Sequence, residues 1–315
     1  MPERETRGVY VSLEELVALA HRVRGAFTLL PRQPARSVIA GRHASRVRGR
    51  GLDFEELRDY LPGDDVRTID WKVTARTRTP YVRVFTEERD RPALLVVDQR
   101  RSMFFGTVKN LKSVTAAELA AAVAWRVTQV GDRIGAIVFD DATAETIRPG
   151  RGRKSVLRLL HSVVDRNRAL RAEMPGSGNP GLLDEALAAA ERLARHDHLV
   201  IVASDFDGVT DETTRRITRL ARHTDVLAVP VLDPSHEQLP ASGRLVIGEG
   251  PAQVEIDLGA QETRRRLAEF ASERLAPVLA WTSNLGIPVL PLSTAEETLD
   301  GIARLLGRSP GGARR

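Results

Sequence analysis

The stretch VVDQRRSMFFGT, residues 96–107, carries an aspartate and a serine four residues apart, directly after an apolar run. A carboxylate and a hydroxyl on one loop are half of a known way to hold a divalent cation. Mg²⁺ is a hard ion that takes oxygen ligands near-octahedrally at roughly 2.0–2.1 Å. Asp98 and Ser102 supply two such oxygens. Midway between them stands Arg100, a permanent cation. Three more carboxylates, Asp140, Asp141 and Asp205, also stand at the ends of apolar runs. With Asp98 they form the set that a metal-dependent hydrolase or phosphotransfer enzyme would use. No base or nucleophile is positioned beside them by any motif.

Other chemistry is poorly supported. RPGRGRKS, residues 148–155, has Arg153 where a phosphate loop needs glycine before Lys-Ser, and no strand is expected to feed directly into it. ATP binding is therefore not expected, although its basic charge can still meet an acidic partner. His196 and His198 are spaced like two metal ligands, but they precede a strand and no third ligand is indicated, so they read as exposed loop residues. Ser102 lies in no nucleophile elbow. The chain has no cysteine, which excludes disulfides, thiol chemistry and Cys-type zinc sites.

The elements that must position these residues follow from periodicity. The chain begins with a helix in which Ser12 and Glu15 form a capping box, Val11 and Leu16 a staple, and Leu13, Leu16, Val17 and Ala20 one face. This N-terminus lacks a signal peptide's continuous apolar core. Residues 32–50 are a basic arm without interleaved aromatic residues, so base stacking is not expected of it. PYVRVFTEE alternates as a strand, after a turn at Pro62-Gly63. From residue 93 strands and helices alternate. Strands are expected at 93–98, 133–141, 144–149, 198–206, 225–233 and 287–292. Helices are expected at 114–129, 153–165, 182–195, 211–222, 262–283 and 295–306. A β-hairpin is expected at 244–259. Such alternation predicts an α/β fold with a doubly wound, mainly parallel sheet.

The expected organisation is a helix over 1–31, a basic arm and β-rich extension over 32–92, an α/β domain over 93–307 and a disordered tail over 308–315. The net charge is +5, almost all of it arginine, with lysine only at Lys72, Lys109, Lys112 and Lys154. This balance permits peripheral contact with an anionic membrane but specifies no polyanion. No apolar run reaches transmembrane length. A cytoplasmic location is expected.

Two segments together carry a family resemblance. The first holds Tyr60, Pro62-Gly63-Asp64-Asp65, Arg67, Ile69-Asp70-Trp71 and Ala75-Arg76, and the second is LLVVDQRRSMFFGT. The chain resembles the family called domain of unknown function 58. The resemblance implies a von Willebrand factor A-like domain from about residue 93, preceded by a small β-rich extension. It also implies a non-enzymatic adaptor that works with a MoxR-type AAA+ ATPase on a client protein, in complex maturation or a chaperone-like role.

The resemblance further implies a metal-ion-dependent adhesion site on three loops: D-x-S-x-S, a threonine and an aspartate. Asp98 and Ser102 match the first loop, and Asp205 matches the third. Arg100 replaces a serine, and PGSGNPGLLDEAL has no threonine, leaving Ser177 or Asn179 as substitutes only if the loop is shifted. The favoured reading is a degenerate site in which Arg100 takes the electrostatic role of the ion, pairing with Asp98 and Asp205. No cofactor is then expected. Mg²⁺ on Asp98, Ser102 and Asp205 is the alternative, with Arg100 turned outward. The contact surface is expected around Asp98, Ser102, Met103 and Asp205, with Phe104 and Phe105 buried against the 114–129 helix. In the signature block, Asp64, Asp65 and Asp70 read either as a docking or second ion site, or as a scaffold paired with Arg58, Arg67 and Arg76. The scaffold is favoured, with Trp71 and Tyr81 as packing.

Overall fold

The computed structural model describes residues 8–27, 52–87, 91–171, 178–236, 244–249, 252–257 and 259–307. These divide into two compact units, one of residues 52–87 and one of residues 8–27 with 91 onward. The expected basic arm and C-terminal tail lie outside the described residues.

Helix α1 (Leu13–Arg22) begins with the predicted capping box: Glu15 N–H donates to Ser12 Oγ (3.1 Å), and Ser12 N–H donates to Glu15 Oε2 (2.9 Å). Two orphan amides are thereby satisfied. Its Leu16 and Leu19 are buried.

The small unit is a β-hairpin with a helix between its strands. β1 (Leu52–Asp59) pairs antiparallel with β2 (Tyr81–Glu87). Between them lie a turn at Pro62-Gly63 and helix α2 (Trp71–Thr77). Asp70 caps α2, accepting from Lys72 N–H (3.0 Å) and Val73 N–H (3.1 Å).

The large unit is built on a six-stranded sheet. β3 (Ala93–Asp98) leads through α3 (Lys112–Gln129) to β4 (Ile134–Phe139), which turns into β5 (Ala144–Gly150). Two helices follow, α4 (Gly152–Ala169) and α5 (Gly181–Leu193), then β6 (Leu199–Ser204), α6 (Asp211–Ala221) and β7 (Asp225–Leu232). β8 (Arg244–Glu249) and β9 (Ala252–Asp257) form the predicted hairpin. Helix α7 (Gln261–Leu285), the short β10 (Leu292–Ser293) and α8 (Thr298–Leu306) complete the chain. The strand order is β10-β7-β6-β3-β4-β5, parallel except for β5. The expected doubly wound, mainly parallel α/β sheet is therefore present.

All residues of β3, β4 and β6 are buried, because helices cover both faces. On one face Leu94, Val96, Val200 and Val202 pack with Leu183, Leu187, Ala190, Ile217, Leu220 and Trp281. On the other, Leu119 and Val123 of α3 meet Ile201, Leu227, Leu292 and Ile302. α1 adds to that layer. Trp125 Nε1 donates to Leu16 O (2.9 Å), and Val11 N–H donates to Asn167 Oδ1 (2.9 Å).

Two expectations need correction. The last strand was expected over 287–292, yet only Leu292–Ser293 pairs as a strand, with one bridge from Val289 to Ala228. Pro288 and Pro291 have no N–H to donate, so an apolar run cannot become a full ladder. A strand does feed into the Lys154-Ser155 segment: β5 ends at Gly150 and α4 starts at Gly152. The exposed Arg153 lies with its guanidinium carbon 5.6 Å from the Trp125 ring centroid.

Candidate functional site

β3 and β6 are neighbours, and their carboxyl ends lie at the switch point of the sheet. The chain leaves β3 toward β4 on one side and leaves β6 toward β7 on the other. Open α/β sheets form a crevice at such a point. Asp98 ends β3, Ser204 ends β6 and Asp205 follows it.

Asp98 is fully buried, and so is nearly all of Arg100, at 2 % exposure. After β3 the chain turns back on Asp98: Arg100 N–H donates to Asp98 Oδ1 (2.9 Å). This Asx turn aims the arginine side chain inward. Arg100 Nε donates to Asp98 Oδ1 and Oδ2 (both 3.1 Å), and Nη2 donates to Oδ2 (2.7 Å). Nη1 donates to the carbonyls of Pro180 (3.3 Å) and Asp207 (3.2 Å). One guanidinium thus ties together the loops after β3, before α5 and after β6. Its Cζ lies 5.4 Å from the Phe139 ring centroid. Ser204 Oγ adds a 2.6 Å hydrogen bond to Asp98 Oδ2.

Asp205 has a different main partner from the one expected. Arg100 Nη2 stands 3.8 Å from it, while Lys112 Nζ donates at 2.6 Å. Ser102 Oγ (3.2 Å) and Asp207 N–H (3.0 Å) also donate to Asp205. Reading the sequence missed Lys112 and Ser204. Lys112 opens α3, the first helix after the Asp98 loop, and is one of few lysines in an arginine-rich chain. That contrast was the available signal.

The electrostatics balance. Burial pushes the Asp98 carboxyl up, with Arg100 and Ser204 pulling against it. Burial also disfavours the Arg100 charge, but Asp98 outweighs it and holds the guanidinium above its ordinary value. For Asp205 burial pushes upward, and Lys112 followed by Arg100 overcomes it, so its carboxyl sits below the ordinary range. Two carboxylates face two cations, with donors on both oxygens of each carboxylate.

This donor set does not fit Mg²⁺. The oxygens of Asp98 are occupied by Arg100 and Ser204, and those of Asp205 by Lys112, Ser102 and a backbone amide. The loop before α5 offers the Pro180 carbonyl to the guanidinium. Ser177 lies outside the described residues, and Asn179 uses its backbone N–H on Asp141 (2.9 Å). Among the described residues no three His, Asp or Glu side chains are grouped to hold a metal ion.

The remaining carboxylates are also engaged. Asp141 Oδ2 accepts from Arg101 N–H (2.6 Å), so Asp141 bridges the loop after β3 to the loop before α5. Asp140 accepts from Ala142 and Thr143 N–H (2.8 and 2.7 Å) and faces Arg166 (3.4 Å). Met103, expected at the surface, is fully buried, because the turn at Arg101–Met103 folds it inward. The two phenylalanines diverge. Phe104 is half-buried against Tyr10, with ring centroids 5.7 Å apart. Phe105, expected to be buried, is exposed, with Lys112 Nζ 5.9 Å from its ring. His196 stacks edge-on with His223 at 5.6 Å.

The signature residues of the small unit pair differently from the expected scaffold. Asp64 takes the Arg58 fork (2.7 and 2.8 Å), but Asp70 takes Arg83 (2.8 Å), and Asp65 caps a short turn through Arg67 N–H (3.0 Å). The side chains of Arg67 and Arg76 pair with none of these carboxylates. Trp71, expected to pack, is exposed. Tyr60 and Tyr81 are half-buried, and Tyr60 N–H closes the hairpin on Pro80 O (2.9 Å).

Comparison with known proteins relates the chain to a family. A family model described as "Protein of unknown function DUF58" matches residues 56–276. The uncharacterized protein Rv1480 of Mycobacterium tuberculosis is 32% identical over 288 residues, covering 90% of this chain and 88% of the relative. The uncharacterized protein Mb1516 of Mycobacterium bovis matches to the same extent, 32% over 288 residues. Among solved structures, the SpRpn10 VWA domain is similar at 11% identity and TM-score 0.39, covering 72% of this chain and 100% of that one. BatB from Bacteroides thetaiotaomicron is similar at 13% identity and TM-score 0.38, covering 70% and 98%.

Proposed function

Since the chain belongs to the DUF58 family, we propose that it is a non-enzymatic protein-interaction adaptor that works with a MoxR-type AAA+ ATPase in the cytoplasm. Its task is complex maturation or a chaperone-like action on a client protein. The observation that carries this reading is Arg100, buried at 2 % exposure with its fork on Asp98. The adhesion-type crevice keeps its carboxylates and its three loops, and its ion is replaced by side-chain cations. Such a site stays rigid and neutral without a cofactor.

Catalysis by the same carboxylates finds less support. A general base needs a carboxylate free to accept a proton from substrate. Asp98 and Asp205 are held by cations, and Asp140 and Asp141 by backbone amides. Around this core lies an accessible rim with Phe105 at 41% and Val108 at 69% exposure. Exposed apolar groups beside a rigid polar centre suit protein docking. No helix of the described residues is long and apolar enough to cross a membrane.

Co-purification tests the reading. The tagged full-length chain is co-expressed with the MoxR-type ATPase of the same genome. Retention of the ATPase, and its loss in a Phe105→Ala, Val108→Ala double variant of unchanged melting temperature, is the expected result. Failure to retain the ATPase at all removes the proposal.

A further inference from the structure

In the small unit four exposed cations stand apart from its ion pairs. They are Arg67, Lys72, Arg76 and Arg78, and none has a carboxylate partner among the described residues, where the ion pairs are Arg58–Asp64 and Arg83–Asp70. Helical spacing puts Trp71, Lys72, Ala75 and Arg76 on the outer strip of α2, while Val73 and Thr74 are half-buried. Trp71 is 68% exposed, Val66 58% and Leu61 60%. Large apolar side chains held out of the core this way, and rimmed by charge, mark interaction surfaces. Tryptophan and arginine are also the residues that most often anchor interfaces.

The charges of α2 are solvated and left open to an outside partner. Lys72 and Arg76 are four apart on a helix of seven residues, a spacing at which like charges repel. The carboxylate that adjoins α2 in sequence, Asp70, is already committed to Arg83 and to the helix cap. An external carboxylate relieves that repulsion, and an apolar side chain beside it covers Trp71.

We propose that this face of α2, in a unit that also exposes Val66 and Leu61, docks an acidic protein segment that carries apolar side chains. Carboxylates meet Arg67, Lys72, Arg76 and Arg78, and an apolar side chain lies on Trp71. An extended polyanion fits less well. Residues 52–87 hold eight carboxylates and six cations, so the unit has no net positive charge to draw a nucleic acid or an anionic bilayer. Only Trp71 offers an exposed ring among the unit's described side chains, where a base-stacking surface needs several. The inference extends the adaptor reading, and rests on it only for the partner being a protein.

The test is fluorescence anisotropy with the full chain and a fluorescein-labelled peptide that alternates Glu with Leu and Phe. The control peptide has Lys in place of Glu. Binding of the acidic peptide alone is expected, weakening as salt rises. Trp71→Ala, and separately Lys72→Glu with Arg76→Glu, should each reduce affinity by about tenfold or more. Their melting temperatures should stay unchanged, since every altered side chain is exposed. Equal binding of both peptides, no binding, or binding indifferent to these substitutions overturns the proposal. So does tighter Trp71-dependent binding of a single-stranded oligonucleotide or of phosphatidylglycerol vesicles. Peptide binding without ATPase capture sinks only the ATPase reading, and capture that survives both α2 variants without peptide binding sinks only this one.

Discussion

The same side chain does opposite work in the two units. In the large unit Arg100 is 2 % exposed, and its donors reach one carboxylate and two carbonyls. In the small unit Arg67 and Arg76 are exposed and pair with no carboxylate among the described residues. The difference is one of solvation. A buried guanidinium without a partner costs several kcal/mol, so its partners are obligatory and its position is set. An exposed guanidinium is already satisfied by water and gains little from a surface ion pair, about 0–1 kcal/mol. It therefore stays available for a partner that brings its own charge. The first arginine holds a site together, and the others present one.

This contrast can be broken most forcefully at Arg100. Arg100→Ala leaves Asp98 buried and uncompensated, which should cost about 3–5 kcal/mol. The melting temperature, followed by circular dichroism, should fall by on the order of 10 °C for a unit of this size. Arg100→Ser removes the charge but restores the small hydroxyl, and Mn²⁺ should then recover part of the loss. The unaltered chain should show no response to Mn²⁺. A rise in its melting temperature that Asp98→Ala abolishes would show that the guanidinium does not take the ion's place.

A smaller effect separates the carboxylates. Asp70 lies below its ordinary 3.8 because Val73 N–H and Arg83 hold its charged form, against burial. A depressed carboxyl stabilises the fold above its unfolded value, and that contribution is lost as pH falls through the folded one. The cap of α2 should therefore persist at neutral pH and loosen only below about pH 4. The NMR shifts of the Lys72 and Val73 amides should follow this, and Asp70→Asn should flatten the response. The smallest effect belongs to the exposed cations. Lys72→Ala or Arg76→Ala should move the melting temperature by about 2 °C or less, because surface substitutions away from such features are nearly neutral. A large fall would show that these side chains are structural after all.

Much of the fold was legible because its signals are local. β3, β4 and β6 read as unbroken apolar runs, since a parallel strand covered on both faces has no polar side. The α1 cap was legible from Ser12 and Glu15 alone. The short β10 was not, because apolar content suggested a strand that Pro288 and Pro291 prevent. In the site, Arg100 beside Asp98 was legible because the two are neighbours in the chain. Lys112 on Asp205 was not, because those residues are 93 apart.

The sequence by itself determined which residue types reach the sheet's carboxyl edge, since an aspartate at the end of a buried strand can go nowhere else. It also determined that a permanent cation, Arg100, stands two residues after that aspartate on the same loop. Only the tertiary structure decided which cation meets which carboxylate: Arg100 with Asp98, Lys112 with Asp205, Arg83 with Asp70. It alone decided that Met103 turns inward and Trp71 outward. Charge and hydrophobicity are properties of a residue, but pairing and burial are properties of where distant segments of chain come to rest.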